Sequence, residues 1–263
     1  MSSLTSGNIE TVKTFLKNQN QGASFVSGSS RTVLLMDATG SMSSLLSAAK
    51  ETVCTMFERA SNILKEKHLS DLFQMQIVIY RNYNSRENEI LQASAWETKP
   101  NNLRAFMNTV GPKGGMGAEA IEIGLWHAVK ESETSDSISQ VILIGDAPAN
   151  SQAEVREKRA GFGEAYWEKT RFGKPTYFVY ELQKLKSKNV PVHAFYLTRY
   201  AKDSFKYIAN ETGGRCERLN IHSAEGAETL TDFVTEEVLR KAAGDQGDAA
   251  VDLYRKKYKT FAF

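Results

Sequence analysis

The chain has 263 residues and a composition close to that of an average soluble globular protein, with 41% hydrophobic residues, 24% charged residues and a formal net charge of +2. This composition excludes disordered and fibrous proteins. So small a net charge also gives no support for binding nucleic acid or an anionic membrane. The two cysteines, Cys54 and Cys216, lie far apart, which argues against a disulfide framework or a zinc site and favours a reducing compartment.

The amino terminus lacks the basic and then apolar order of a secretory signal. No apolar run approaches the length that spans a membrane. We therefore expect a soluble, cytoplasmic protein that binds neither membrane nor nucleic acid.

Three segments are expected along the chain. Residues 1–30 are predicted to form a short amphipathic helix followed by a Gly- and Ser-rich loop, because apolar residues recur at helical spacing between positions 9 and 16. Residues 31–243 show the alternation of strand and helix patterns that is typical of one α/β domain. Residues 244–263 are expected to form an appended C-terminal tail that could include a helical turn, and the basic aromatic stretch at 254–259 is expected to be solvated.

The clearest local pattern is the apolar run at residues 33–36, which ends at Asp37. Continuous hydrophobicity predicts a strand buried on both faces, with the carboxylate at its C-terminal end. Thr39 and Ser41 follow at two-residue steps, and a helical pattern of about five turns begins after residue 43. Ligands bind at the carboxyl edge of open parallel sheets. These three oxygen donors are therefore candidate ligands for Mg²⁺, Mn²⁺ or Ca²⁺.

The remaining elements alternate. Strands are predicted at 73–80, 89–96, 141–144, 190–197 and 215–219, and helices at 101–110, 119–129, parts of 152–174, 177–188, 202–211 and 229–241. Such alternation predicts parallel βαβ units. The expected fold class is α/β, a three-layer, doubly wound, mostly parallel sheet flanked by helices, which is a Rossmann-like architecture.

The second short apolar run, residues 141–144, also leads to a carboxylate, because Gly145 and Asp146 follow it. Two central strands would then deliver Asp37 and Asp146 to the same edge of the sheet. The alternative is that Asp37, Thr39 and Ser41 cap the next helix, where their oxygens would accept hydrogen bonds from its free backbone N–H groups. Capping alone leaves the matching carboxylate at Asp146 unexplained, so we favour a cation site.

Residues 37–41, Asp-Ala-Thr-Gly-Ser, resemble the metal-ion-dependent adhesion site of the von Willebrand factor A (VWA) domain family, in which Asp-x-Ser/Thr-x-Ser follows the first strand. Three further segments resemble elements of the intracellular branch found in atypical alpha-kinase-linked proteins. They are Tyr-Arg-Asn at 80–82, Gly-Gly-Met-Gly-Ala-Glu at 114–119 and Asp-Ala-Pro at 146–148. The four motifs stand in the family's order, which makes the resemblance more specific than any one motif.

The resemblance implies that Asp37, Thr39 and Ser41 hold a divalent cation, directly or through water, with Asp146 among the further contacts. It implies a non-enzymatic interaction module, in which a partner protein offers an acidic side chain to complete the coordination of Mg²⁺. Because hydroxyls supply part of the shell, the cation would keep net positive character toward an incoming carboxylate.

The resemblance also implies a ligand from the loop at 114–119. The simplest register places Met116 where relatives carry threonine or aspartate, and a thioether is too soft a donor for Mg²⁺. The Met116 backbone and Glu119 are therefore additional candidate ligands. Asn82 replaces an aspartate of the branch, which predicts weaker cation binding because affinity rises with ligand charge. These departures leave open a metal-free VWA scaffold with a degenerate site.

The sequence also leaves open an enzymatic function. Residues 37–41 resemble the aspartyl-phosphate motif of haloacid-dehalogenase-like (HAD-like) phosphohydrolases, in which Asp37 would be the nucleophile and Asp146 a magnesium ligand. That superfamily inserts a loop and hairpin flap after its first strand, whereas a long helix follows here at once. Thr39 also stands where its phosphatases carry a second acid.

Overall fold

The computed structural model describes residues 30–69, 73–219 and 224–259. Within these residues the sheet has six strands in the order β3-β2-β1-β4-β5-β6. They are β1 Ser30–Asp37, β2 Phe73–Tyr80, β3 Leu91–Ala93, β4 Gln140–Gly145, β5 Val192–Tyr196 and β6 Cys216–Arg218. Neighbouring strands run parallel, except that β2 and β3 are antiparallel. The helix and loop predicted for residues 1–30 lie outside the described residues, apart from Ser30.

The helices of the described residues alternate with the strands. They are α1 Leu46–Glu66, α2 Glu87–Ile90, α3 Pro100–Thr109, α4 Ile121–Ser132, α5 Gln152–Ala160, α6 Glu164–Trp167, α7 Phe178–Ser187, α8 Lys202–Thr212, α9 Ala224–Ala242 and α10 Gly247–Tyr258. Short 3₁₀ turns lie at Gly40–Ser44 and Gly244–Gln246. This arrangement confirms the predicted three-layer, mostly parallel Rossmann-like fold. No helix in the described part of the chain is long and apolar enough to cross a membrane.

Strand β1 is buried along its whole length because both faces of the sheet are covered. Leu34 and Met36 belong to a core formed with α1, α3, α9 and α10. Val33 and Leu35 point to the opposite core, formed with α4, α7 and α8. The alternation of side chains along a strand accounts for this division. It leaves Asp37 at the end of a central strand with no exposed surface.

The strand predicted at 89–96 is shorter in the structure. Residues Glu87–Ile90 form α2, and Leu91–Ala93 are the strand that pairs with β2. Further along, Met75 and Glu97 form an isolated bridge. The ladder ends where the Ser94 hydroxyl, in place of a backbone carbonyl, accepts a hydrogen bond from the Ile77 N–H at 3.0 Å. A side chain that replaces a backbone partner in this way ends regular pairing.

The appended tail expected for residues 244–263, with a solvated stretch at 254–259, is corrected by the structure. Residues 247–258 form α10, which packs on α1 and α9. Its Ala250, Val251 and Tyr254 are buried in the core, since they form an apolar stripe at helical spacing. Arg255 forms a two-pronged ion pair with Glu236 of α9, with N···O distances of 2.8 and 2.7 Å. The proposed division into domains stays a prediction.

Candidate functional site

The structure brings four of the predicted site residues together at the carboxyl edge of the sheet. Asp37 ends β1, and Asp146 follows the last residue of the adjacent parallel strand β4. Thr39 Oγ1 and Ser41 Oγ are hydrogen-bonded at 3.0 Å. The Ser41 hydroxyl also donates to Asp146 Oδ1 at 3.1 Å. One hydrogen-bonded array therefore joins both motifs, as the sequence predicted from two strands of one sheet.

The turn after β1 holds Asp37 in place. Its Oδ1 accepts a hydrogen bond from the Thr39 N–H at 2.7 Å. Its Oδ2 is buried and has no hydrogen-bond partner within the described residues. Neither Thr39, which precedes the 3₁₀ turn, nor Leu45, which precedes α1, makes a side-chain cap. The hydroxyls bond to each other and to Asp146 instead of capping a helix.

The loop between α3 and α4 lies directly against this turn. The Gly40 N–H donates to the Gly114 carbonyl at 2.8 Å, and the Lys113 N–H donates to the Ala38 carbonyl at 3.0 Å. Gly115 has a φ of +109°, and a Cβ there would lie 3.0 Å from Glu119 Oε1 and 3.2 Å from Thr39 Cβ. Only glycine tolerates both this backbone conformation and this close approach.

Glu119 is the acidic side chain that the loop adds to the array. It is 2% exposed, and its Oε2 has no partner within the residues that the structure describes. Its backbone N–H donates to the Pro148 carbonyl at 2.8 Å, which joins this loop to the Asp146 loop.

Asp37 and Glu119 are held in an environment that disfavours their ionised forms. Burial, together with the nearby Asp146, raises the pKa of Glu119 to about 7, although Lys158 acts in the opposite direction. Burial, together with Glu119 and Asp146, raises the pKa of Asp37 well above its usual range. A bound cation would relieve both effects because it stabilises the ionised forms.

Met116 is a candidate ligand with an exposed side chain and a carbonyl that is already hydrogen-bonded. Its side chain is 52% exposed, and its carbonyl accepts a hydrogen bond from Lys158 Nζ at 2.8 Å. The carbonyl is therefore engaged by an ammonium group. Of the two additional candidates, Glu119 is the one whose side chain lies against the first motif.

Lys158, on α5, is a structural residue of the site that the sequence reasoning missed. Its Nζ donates to three oxygens, the Met116 carbonyl at 2.8 Å, the Ala118 carbonyl at 2.6 Å and Asn150 Oδ1 at 2.6 Å. These three bonds use all the donors of an ammonium group. No motif marks this lysine, because the contact depends on how α5 packs against the loop.

Asn82 is fully buried behind the same loop. Its Nδ2 donates to the Ala118 carbonyl at 2.7 Å, and its Oδ1 accepts from the Tyr83 N–H at 2.9 Å. The residue therefore fixes the loop backbone.

A further buried carboxylate lies beside Asn82. Asn150 Nδ2 donates to Oε1 of the fully buried Glu122 at 2.9 Å, and burial raises the pKa of Glu122 to about 7.

The donor atoms suit an oxygen-preferring cation. In the described ranges no group of three or more His, Cys, Asp or Glu side chains is arranged as a metal site. The array here combines two hydroxyls with carboxylates, and Asp37 Oδ2 and Glu119 Oε2 are buried without partners among the described residues. Such hard donors fit Mg²⁺, Mn²⁺ or Ca²⁺ better than zinc.

An open groove of about 620 Å³ lies over the array. Ser41, Asp146 and Glu119 line it together with the glycine-rich loop. Tyr200, which is 63% exposed, also lines the groove. The groove is therefore wide enough to receive a side chain from another molecule above the carboxylates.

No protein-family model matches the sequence, and no curated protein matches it. Solved structures do match the fold. A von Willebrand factor type A protein from Catenulispora acidiphila has a TM-score of 0.56 at 13% identity, over 82% of this chain and 43% of that chain. The open form of the pilus adhesin SpaC from Lactobacillus rhamnosus GG has a TM-score of 0.55 at 14% identity, over 82% and 30%. The SpRpn10 VWA domain has a TM-score of 0.53 at 12% identity, over 78% and 94%.

This chain thus spans less than half of the first two proteins and nearly all of the third, which is an isolated VWA domain. At these identities the similarity shows the fold alone. The fold of the chain is that of VWA domains.

Proposed function

We propose that the chain is a protein-interaction module that binds an acidic side chain of a partner through a divalent cation at the carboxyl edge of the sheet. The observation that carries the proposal is the array of Thr39, Ser41 and Asp146. Beside it lie buried oxygens of Asp37 and Glu119 that have no partner within the part of the chain that the structure describes. The VWA fold and the position of the array after β1 support it.

Each residue has a role in the proposal. Asp37, Thr39, Ser41 and Asp146 would hold the cation, directly or through water, and Glu119 would supply the oxygen of the glycine-rich loop. Mg²⁺, Mn²⁺ and Ca²⁺ are the candidate cations. When bound, such a cation supplies a positive centre that attracts a carboxylate from outside. The open groove over the array gives a partner carboxylate a path to this point.

The motifs at 37–41, 80–82, 114–119 and 146–148 support placing the chain in the intracellular branch of VWA proteins that includes atypical alpha-kinase-linked members. We accordingly propose a cytoplasmic partner protein. The two cysteines support this placement because both are free thiols.

The geometry favours this module over a HAD-like phosphohydrolase. The 3₁₀ turn Gly40–Ser44 leads directly to α1 at Leu46, and no flap is inserted there. Asp37 has no exposed surface, and one of its oxygens is held by the Thr39 N–H. A nucleophilic carboxylate needs an open approach to the phosphorus atom, which this burial denies.

The proposal is tested with short labelled peptides that carry a central Asp, and with matched peptides that carry Asn. We expect the Asp peptides to bind the wild-type chain in Mg²⁺ and to dissociate when EDTA is added. Asp37→Asn should abolish this binding and keep the fold, because the amide retains an acceptor for the Thr39 N–H. The control is Asp248→Asn, whose side chain is 91% exposed on α10. Equal binding of Asp and Asn peptides, or binding that survives both EDTA and Asp37→Asn, would refute the proposal.

A further inference from the structure

A second cavity lies beside the groove, and Met116 lines both. It has a volume of about 530 Å³, and its walls include Tyr83, Met116, Glu154, Glu157, Lys158 and Phe162. A partner segment whose acidic side chain entered the groove would place a neighbouring side chain over this cavity. The chemistry of its walls therefore decides which partner fits.

One wall of the cavity is an exposed aromatic ring held in a fixed position. Phe162 is 39% exposed. Its ring packs against Tyr166 at a centroid distance of 5.0 Å and against the edge of Trp167 at 6.0 Å. Trp167 is fully buried, so the ring of Phe162 rests on a rigid base and presents the rest of its surface to the cavity. Met116 adds flexible apolar surface to the same cavity.

The charged groups of the cavity leave a surplus of negative charge. The ammonium of Lys158 is directed to the Met116 and Ala118 carbonyls and to Asn150. Glu154 Oε2 accepts the Ser151 N–H at 2.7 Å. The exposed Glu157 carboxylate makes no hydrogen bond or ion pair within the described part of the chain, beyond a longer-range attraction to Lys158.

An aromatic face beside an unpaired carboxylate is the environment that an arginine side chain prefers. The guanidinium is planar and weakly hydrated, so it can stack on Phe162 while its donors reach Glu157. The same carboxylates would repel a phosphate, which disfavours a nucleic acid here. A plain apolar side chain would leave Glu157 without a partner.

We propose that this cavity binds an arginine of the partner, next in space to the acid that the groove receives. The acid in the groove is part of the proposed function, and this inference rests on that function for the position of the acid. Two hydrogen bonds of Lys158, to the Met116 and Ala118 carbonyls, hold the loop of Met116 against α5, so the wall shared by the two sites is formed before binding. Preorganisation of this kind lowers the ordering cost of recognition.

The first test uses the arginine alone. N-acetyl-arginine methylamide is titrated into the full chain labelled with ¹³C at its methionine methyl groups, and the Met116 signal is followed. N-acetyl-citrulline methylamide, which has nearly the same shape and no charge, is the matched ligand. We expect a saturable shift with arginine only, lost in Glu157→Lys and kept in Glu133→Lys, an exposed position at the far end of α4. No shift, or the same shift in Glu157→Lys, overturns the proposal.

The second test separates this inference from the proposed function. Peptides that carry Asp with a neighbouring Arg are compared in Mg²⁺ with peptides that carry Asp with citrulline. We expect the Arg peptides to bind roughly three- to tenfold more tightly, and Glu157→Lys to remove the difference. If Asp-dependent binding occurs without any gain from Arg, the arginine site is refuted and the proposed function stands. If Arg gives its gain while neither Asp nor Mg²⁺ improves the binding of any peptide, the arginine site stands and the proposed function fails.

Discussion

At the residue scale, Gly115 decides whether the loop between α3 and α4 can close on the first motif. Its φ of +109° is strained for any other residue, and a Cβ would meet Glu119 and Thr39. We predict that Gly115→Ala lowers the free energy of unfolding by about 1–3 kcal/mol and weakens Mg²⁺ binding. Urea denaturation and calorimetric titration measure the two effects. Gly111→Ala is the control, because no atom lies within 4 Å of a Cβ there and its φ is not positive. Equal behaviour of the two variants would show that the loop does not need its observed conformation.

Glu122 gives a pH-dependent prediction at the same scale. Burial raises its pKa from 4.5 to about 7 in the folded chain, so the stability that its protonated form provides is fully present below pH 4.5. This stability is lost as the pH rises through about 7.

Glu122→Gln keeps the acceptor for Asn150 and cannot ionise. We therefore predict that the variant gains up to about 3 kcal/mol over the wild type between pH 5 and pH 8. Urea denaturation of both proteins at each pH tests this, and the other titrating groups cancel in the difference. A constant difference between the two proteins would contradict it.

The site residues divide into those that local sequence could predict and those that it could not. Asp37 and Asp146 follow buried strands, and Thr39 and Ser41 stand at fixed steps after the first, so their convergence follows from the parallel sheet. Glu119 and Lys158 depend on a loop path with positive φ at Gly114, Gly115 and Gly117. A loop with so many glycines can adopt several backbone conformations. Packing of the loop against α5 selects one of them, and local sequence does not show that contact.

At the element scale, α10 is predicted to contribute strongly to stability. Tyr254 is fully buried in the core with α1 and α9, and its hydroxyl donates to Asp232. Tyr254→Ala should lower the free energy of unfolding by about 3–5 kcal/mol, because it leaves a cavity and removes the hydrogen bonds of the hydroxyl with Asp232 and Arg59. Lys256→Ala, at an exposed position of the same helix, should change it by less than about 0.5 kcal/mol. Similar small losses in both variants, measured by urea denaturation, would mean that α10 is not part of the core.

The elements that the sequence predicted best are those that a continuous pattern marks. The prediction of a strand at 73–80 agrees with β2, Phe73–Tyr80, since every residue there is buried. The predicted strand at 89–96 was mostly wrong, because a helical turn and a side-chain contact replace most of its pairing. The tail was misjudged because its basic residues dominate the composition, whereas the burial of Tyr254 depends on partners on α1 and α9.

At the scale of the whole molecule, a chain of net charge +2 concentrates buried carboxylates at one edge of its sheet. Asp37, Asp146 and Glu119 come from three separate connections, and the VWA fold brings those connections together. Burial opposes the ionisation of Asp37 and Glu119, so the folded chain holds these two groups at a cost to stability. A cation at this edge would reduce that cost, which links the architecture of the molecule to its proposed activity.

The most direct test of this account is calorimetric titration of the full chain with Mg²⁺, Mn²⁺ and Ca²⁺, together with Ser41→Ala and Asp146→Asn. We predict saturable binding of one cation per chain in the wild type. We expect each variant to weaken that binding at least about tenfold, because each removes a donor of the array. The absence of saturable binding of all three cations to the folded wild-type chain would contradict the account and identify a metal-free VWA scaffold. Binding of the same affinity in the wild type and both variants would place the cation elsewhere.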